Sequence, residues 1–141
     1  MLYQRIAILT MLFTMVLLGL EGGQTLAAKS GGGGHTTASG TFGLVLLDST
    51  DGWAHWGQHV TFNVTTDVSE PHVNVECTQG GVVVYGATTG FYASYPWPWT
   101  QVMTLSSQMW SAGDADCTAT LWYANGRKLP TLATLAFHAA P

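Results

Sequence analysis

The sequence predicts an all-β protein: one seven-stranded antiparallel β-sandwich over residues 41–141, set behind an N-terminal export signal. Three observations carry that expectation. Apolar and polar residues alternate with a period of two from Thr41 onward, and turn-forming clusters interrupt the alternation at intervals. Beyond residue 40 no stretch shows the 3.6-residue apolar period of an amphipathic helix.

In chain order, Arg5 precedes a largely apolar run from Ile6 to Leu20, and Glu21 to Ala28 leads down to small residues. A positive end, an apolar centre and a small-residue exit predict a signal peptide over residues 1–28, cut after Ala27 or Ala28. A spanning helix needs about 20 apolar residues, so the run is short for a permanent anchor, an uncleaved tether being the alternative. The mature chain is then expected to be secreted or held at the cell surface, with no membrane attachment after cleavage. Residues 29–40, with Gly31-Gly32-Gly33-Gly34 and Ser39-Gly40, read as a flexible Gly-rich leader.

The strands are expected near 41–47, 58–66, 72–78, 82–86, 101–106, 115–123 and 131–139. Val60, Phe62 and Val64 alternate with Thr61, Asn63 and Thr65, and Val73, Val75 and Cys77 alternate with His72, Asn74 and Glu76. Ala115, Cys117, Ala119 and Leu121 form a third inward set, and Ala133, Leu135 and Phe137 a fourth. Such strands are half-buried, apolar inside and Thr-rich outside. Ser69-Glu70-Pro71, Gln79-Gly80-Gly81, Thr89-Gly90, Ala112-Gly113-Asp114 and Asn125-Gly126 supply the turns. Gly90 to Thr100, rich in Tyr, Trp and Pro, is the one irregular connection.

Charged residues make up 9% of the chain, and the net charge is −4. After signal removal the cations are Lys29, Arg127 and Lys128 alone, too few for a nucleic-acid or anionic-lipid footprint. Cys77 and Cys117 are the only cysteines. An even count in an exported chain reads as a disulfide, and their shared inward phase suits one. Closing that loop stabilises the fold by roughly 4 kcal/mol in the chain-entropy model.

The run Trp110-Ser111-Ala112-Gly113-Asp114-Ala115-Asp116-Cys117-Thr118-Ala119-Thr120-Leu121 resembles the penultimate strand of secreted bacterial immunoglobulin-like domains. The hairpin at Asn125-Gly126 and a last strand from Leu132 to Phe137 fit the same pattern. The resemblance covers roughly residues 58–139 and implies an immunoglobulin- or fibronectin-type sandwich, not a function. It departs from the antibody type. Cys77 falls on the third strand and Cys117 on the sixth, neighbours in one sheet of a fibronectin-like arrangement, so the bond staples adjacent strands.

Catalytic and metal chemistry finds little support. His55 and His59 are four apart, but Gly52 and Gly57 argue for a loop, and no carboxylate stands at a useful interval. His72 and His138 are expected to face solvent, and His35 lies in the leader. There is no Gly-x-Ser-x-Gly, and Ser94, Ser106 and Ser107 have no base beside them. Asp48 with Asp51, and Asp114 with Asp116, read as turn carboxylates rather than Ca²⁺ ligands. No cofactor, metal or enzymatic activity is expected. Asn63-Val64-Thr65 matches a glycosylation acceptor, with Asn63 outward.

The aromatics are the strongest candidates for function. Tyr92, Tyr95, Trp97 and Trp99, with Pro96 and Pro98 between the tryptophans, crowd one connection, and Trp122 falls on the outward face. Proline lowers the entropy cost of presenting such rings. Trp53 and Trp56 are further candidates if they lie nearby. The rings suit a protein partner or self-association first and a sugar second; the competing account is that they cap the ends of the sandwich. A non-catalytic binding or adhesion module is therefore expected. The alternative is a filament subunit donating residues 41–48, with Phe42, Leu44 and Leu46, to its neighbour.

Overall fold

The computed structural model describes residues 37–141. The signal-peptide helix over 1–28 and most of the leader lie outside the described residues. Period-two alternation becomes eight strands: β1 (Gly40–Leu46), β2 (Ala54–His55), β3 (His59–Thr66), β4 (Pro71–Gln79), β5 (Val82–Gly90), β6 (Met103–Thr104), β7 (Ala115–Tyr123) and β8 (Thr131–Ala140). They form two sheets, one in the order β1-β3-β6 and the other β2-β8-β7-β4-β5. The inward sets of both sheets share one apolar core, giving a sandwich-like arrangement. Val60 and Phe62 come from the first sheet, and Val73, Val75, Ala119 and Leu121 from the second. Each large side chain of this kind contributes about 1.5–3 kcal/mol by leaving water.

The strand count and uniform antiparallel pairing need correction. β2 was not expected at all, and it pairs with β8 in parallel, Ala54 opposite Ala139. Gly52 and Gly57 flank it with φ of +84° and +82°, backbone that glycine adopts without cost. They let the chain leave the first sheet, touch the edge of the second and return to β3. The strand expected at 101–106 shrinks to two residues. Fully buried Leu105 bonds instead to the bend at Gly57 and Gln58: its N–H donates to Gln58 O (2.9 Å), and its carbonyl accepts from Gly57 N (2.9 Å). β5 runs on to Gly90, four residues beyond its expected end, and Pro98–Gln101 forms a single 3-10 turn.

Cys77 and Cys117 sit directly opposite each other on β4 and β7. Their sulfurs are 2.05 Å apart and both residues are buried. As the inward phase implied, the crosslink joins neighbouring strands of one sheet. The fold also begins slightly earlier than expected. The Ser39 amide and hydroxyl donate to the Asp67 carboxylate (2.8 and 3.2 Å), and Thr66 Oγ1 donates to Ser39 O at 2.6 Å.

β5 is the outer strand of its sheet, yet its far edge is not bare. Ser107 Oγ donates to the Val84 carbonyl, and Gln101 Nε2 donates to the Gly90 carbonyl at 2.8 Å. Both donors come from the long connection between β5 and β7.

Candidate functional site

Register places three residues in a row across the second sheet. His72 on β4 is opposite Trp122 on β7 and Gly90 on β5. The His72 ring stacks on Trp122, with centroids 4.6 Å apart and an interplanar angle of 18°. Tyr92 and Tyr95 meet its other side edge-on at 5.5 and 6.2 Å. They can do so because Gly90 has no side chain: a Cβ there would stand 2.4 Å from Tyr95 and 2.6 Å from Tyr92. The backbone carbonyl of Glu70 accepts a hydrogen bond from His72 Nδ1 at 3.1 Å. The outcome is a small aromatic cluster outside the main core, with His72, Tyr92, Tyr95 and Trp122 all half-buried. Burial, and then the nearby Glu70 charge, push the Tyr92 phenol above its ordinary value.

The expected binding residues therefore divide into two kinds. Tyr92 and Tyr95 pack on each other, and they and Trp122 pack on His72, a residue expected to face solvent plainly. Trp97 touches the cluster through Tyr95, with centroids 6.0 Å apart, and remains 53% exposed. Trp99 is 68% exposed and makes none of these ring contacts. Hydrogen bonds fix the backbone that carries the two tryptophans. Thr100 donates to Trp97 O through its amide (3.0 Å) and its hydroxyl (2.7 Å). The Thr100 hydroxyl also lies 2.7 Å from that of Thr89, the buried polar residue of the fold. An open groove of about 390 Å³ runs beside this connection, lined in part by Phe62, Val64, Phe91 and Pro98. Trp53 and Trp56 do not join the site. They flank β2, beside the last residues of β8, whereas the cluster lies level with the first.

The histidine expectation also needs correction, because carboxylates do stand beside His55, His59 and His138. His55 Nδ1 faces the Pro141 carbonyl at 3.0 Å and Nε2 faces Asp51 at 2.9 Å. His138 lies between Asp116 (3.0 Å) and Asp114 (3.6 Å), and His59 bonds to Asp48. For His55 both ring nitrogens face hydrogen-bond acceptors, which only the imidazolium can satisfy. The Pro141 carbonyl, followed by Asp51, raises the His55 ring above its ordinary value, and Asp116 does the same for His138. Donation by the Trp53 amide, and then by His55, holds Asp51 down at about 2. The i, i+4 interval from Asp51 to His55 was a usable signal; the cross-strand neighbours were not visible without a register. Among the described residues no group of His, Cys, Asp or Glu is arranged to hold a metal ion.

His55, held by Asp51 and by the Pro141 carbonyl, ties the connection over 47–58 to the end of β8, which fixes a pH dependence. The His55 contribution is complete below the ordinary imidazole value of 6.5 and fades as pH rises through the raised folded value. The Asp51 contribution is complete above 3.8 and fades as pH falls toward about 2. Amide protection in the connection, corrected for intrinsic exchange, is therefore expected to peak near about pH 5. The change is small because the groups are exposed. Protection that stays flat between about pH 5 and pH 8 in NMR exchange would contradict this linkage.

Comparison of the chain with protein-family models, with curated proteins and with solved structures gives no match.

Proposed function

We propose that this chain is an exported, non-catalytic binding module with an immunoglobulin-like sandwich, and that its contact surface is built on Trp97 and Trp99. One observation carries the reading: two tryptophans are 53% and 68% exposed on a backbone pinned by Thr100 and Gln101. Keeping such rings in water is unfavourable, and a held loop loses little entropy when they become buried. Tyr92, Tyr95, His72 and Trp122 act as the pedestal that positions Trp97, through its contact with Tyr95. A three-stranded sheet facing a five-stranded one, with a crosslink inside the larger sheet, supports the fold-level likeness. The disulfide and the Arg5–Ala28 signal pattern support export to an oxidising compartment. Strand donation by residues 41–48 is the weaker account, because β1 already pairs with β3 of its own chain over seven residues.

The test is the double variant W97A/W99A, compared with the wild type on immobilised extracellular-matrix proteins and on polysaccharides. Wild-type retention on a protein surface, lost at least tenfold in a variant that melts like the wild type, is the expected result. Retention only on polysaccharides would transfer the site to sugar recognition. A double variant that fails to fold, or binds undiminished, would remove these rings from the contact.

A further inference from the structure

The three-stranded sheet ends on a bare stretch of edge. Leu47 N donates to the His59 carbonyl, so the odd-numbered residues of β3 turn their backbone groups toward β1. In an antiparallel ladder the alternate residues face the other way, and here these are Val60, Phe62 and Val64. β6 reaches only His59 and Val60. The chain before β6 leaves the edge, because Pro98–Gln101 coils into its 3-10 turn and Gln101 donates to the Gly90 carbonyl. Among the described residues nothing bonds to the N–H or C=O of Phe62 or Val64. The open groove of about 390 Å³ lies against those two residues. The outer edge of β5 differs, since Ser107 and Gln101 engage its carbonyls.

We infer that this edge pairs with the same edge of a second copy, β3 against β3, antiparallel about a two-fold axis at Asn63. The segment Thr61-Phe62-Asn63-Val64-Thr65 names the occupant. Reversed end for end it presents the same order of groups: hydroxyl, apolar, amide, apolar, hydroxyl. It carries no charge to repel its copy. In that register Phe62 of each copy faces Val64 of the other, and such a pair exchanges both N–H···O bonds. The bare N–H and C=O groups of both residues are then satisfied. Thr61 faces Thr65, a favourable cross-strand pair, and the two Asn63 side chains meet on the axis. A carboxamide both donates and accepts, so each bonds the other. Asn63 is exposed, and its neighbour on β1 is Gly43, where no side chain fills the space. β6 at Val60 and the end of β3 at Thr66 limit the overlap to these five residues. An isologous contact of this kind closes at a dimer. It goes beyond the binding-module reading, being made by a strand edge and not by Trp97 and Trp99.

Sedimentation velocity of the mature chain, purified from a bacterial periplasm so that the disulfide forms and Asn63 carries no sugar, tests this across about a hundredfold range of concentration. The mass is expected to rise and to stop at the dimer. Amide exchange over the same range should show the Phe62 and Val64 N–H groups slowing as dimer forms, which a contact through side chains alone would not produce. N63K and N63D should each weaken dimerisation about tenfold or more, because like charges then meet on the axis. Their equimolar mixture should recover the dimer, since unlike charges then face each other. A wild type that stays monomeric, a mass that grows past the dimer, Phe62 and Val64 amides indifferent to concentration, variants that dimerise like the wild type, or a mixture that stays dissociated would each overturn the inference. If the wild type stays monomeric but W97A/W99A still loses retention on a matrix protein, only the self-contact falls and the binding module stands.

Discussion

Replacing both Cys77 and Cys117 with Ala is expected to lower the unfolding free energy by about 2–5 kcal/mol, the largest effect of any pair of substitutions considered. In the folded chain the bond looks redundant, because β4 and β7 are already held by a continuous ladder from Pro71 to Thr78. Its effect lies in the unfolded chain, where residues 40 apart in sequence are kept together and the loop between them loses conformational freedom. Crossing between sheets or lying within one makes no difference to that term. Denaturant titration of the variant, and of the wild type with and without reductant, checks the expectation. The reduced wild type should lose a similar amount, which separates the crosslink from the small packing change of Cys→Ala. A loss below about 0.5 kcal/mol in both would show that the unfolded chain gains little freedom when the bond is absent.

Gly90→Ala is expected to cost about 1–3 kcal/mol and to disturb the aromatic cluster selectively. The added carbon would meet Tyr95 at 2.4 Å and Tyr92 at 2.6 Å, so both rings must lift from the sheet. Their edge-on contacts with His72 are then lost, and the Trp97 ring loses the Tyr95 contact that positions it. Near-UV circular dichroism should change together with the melting temperature, whereas far-UV spectra should not. Gly86→Ala, on the same strand and with open space around its Cα, is the matched control and should leave both signals alone. A Gly90→Ala protein that melts like the wild type with an unchanged near-UV spectrum would show that the rings are not seated as described.

What was legible in the sequence was the phase of the long strands. Val60 and Phe62, Val73 to Cys77, and Ala115 to Leu121 point inward as the alternation requires. Phase depends only on chain neighbours, so one sequence reveals it. Register and edge identity depend on partners, and there the reading ran out. Two-residue β2 is too short to show a period, and its partner Ala139 lies 85 positions away. Leu105 belongs to the core but not to a ladder, which is why β6 ends before it. His72 was assigned correctly to the outer face, but the residues stacked around it come from β7 and from the connection after Gly90. The Tyr92–Trp99 segment was recognised by composition; which rings pack and which stay exposed was decided by the absent side chain of Gly90.

The connection that follows Gly90 has an effect on how the protein behaves in a crowded solution. A bare outer strand offers a row of backbone groups to any extended chain that passes, and sheet proteins commonly repel such additions with lysines. This chain has almost no lysine to spare. It sets the Ser107 hydroxyl and the Gln101 amide against the β5 carbonyls instead, so neutral side chains do the work of charge. The segment from Phe91 to Met109 thereby acts as a fender along the sheet. Trimming it to a tight turn would remove β6 and the buried Leu105 with it and would leave the outer strand bare, a template for cross-β aggregation.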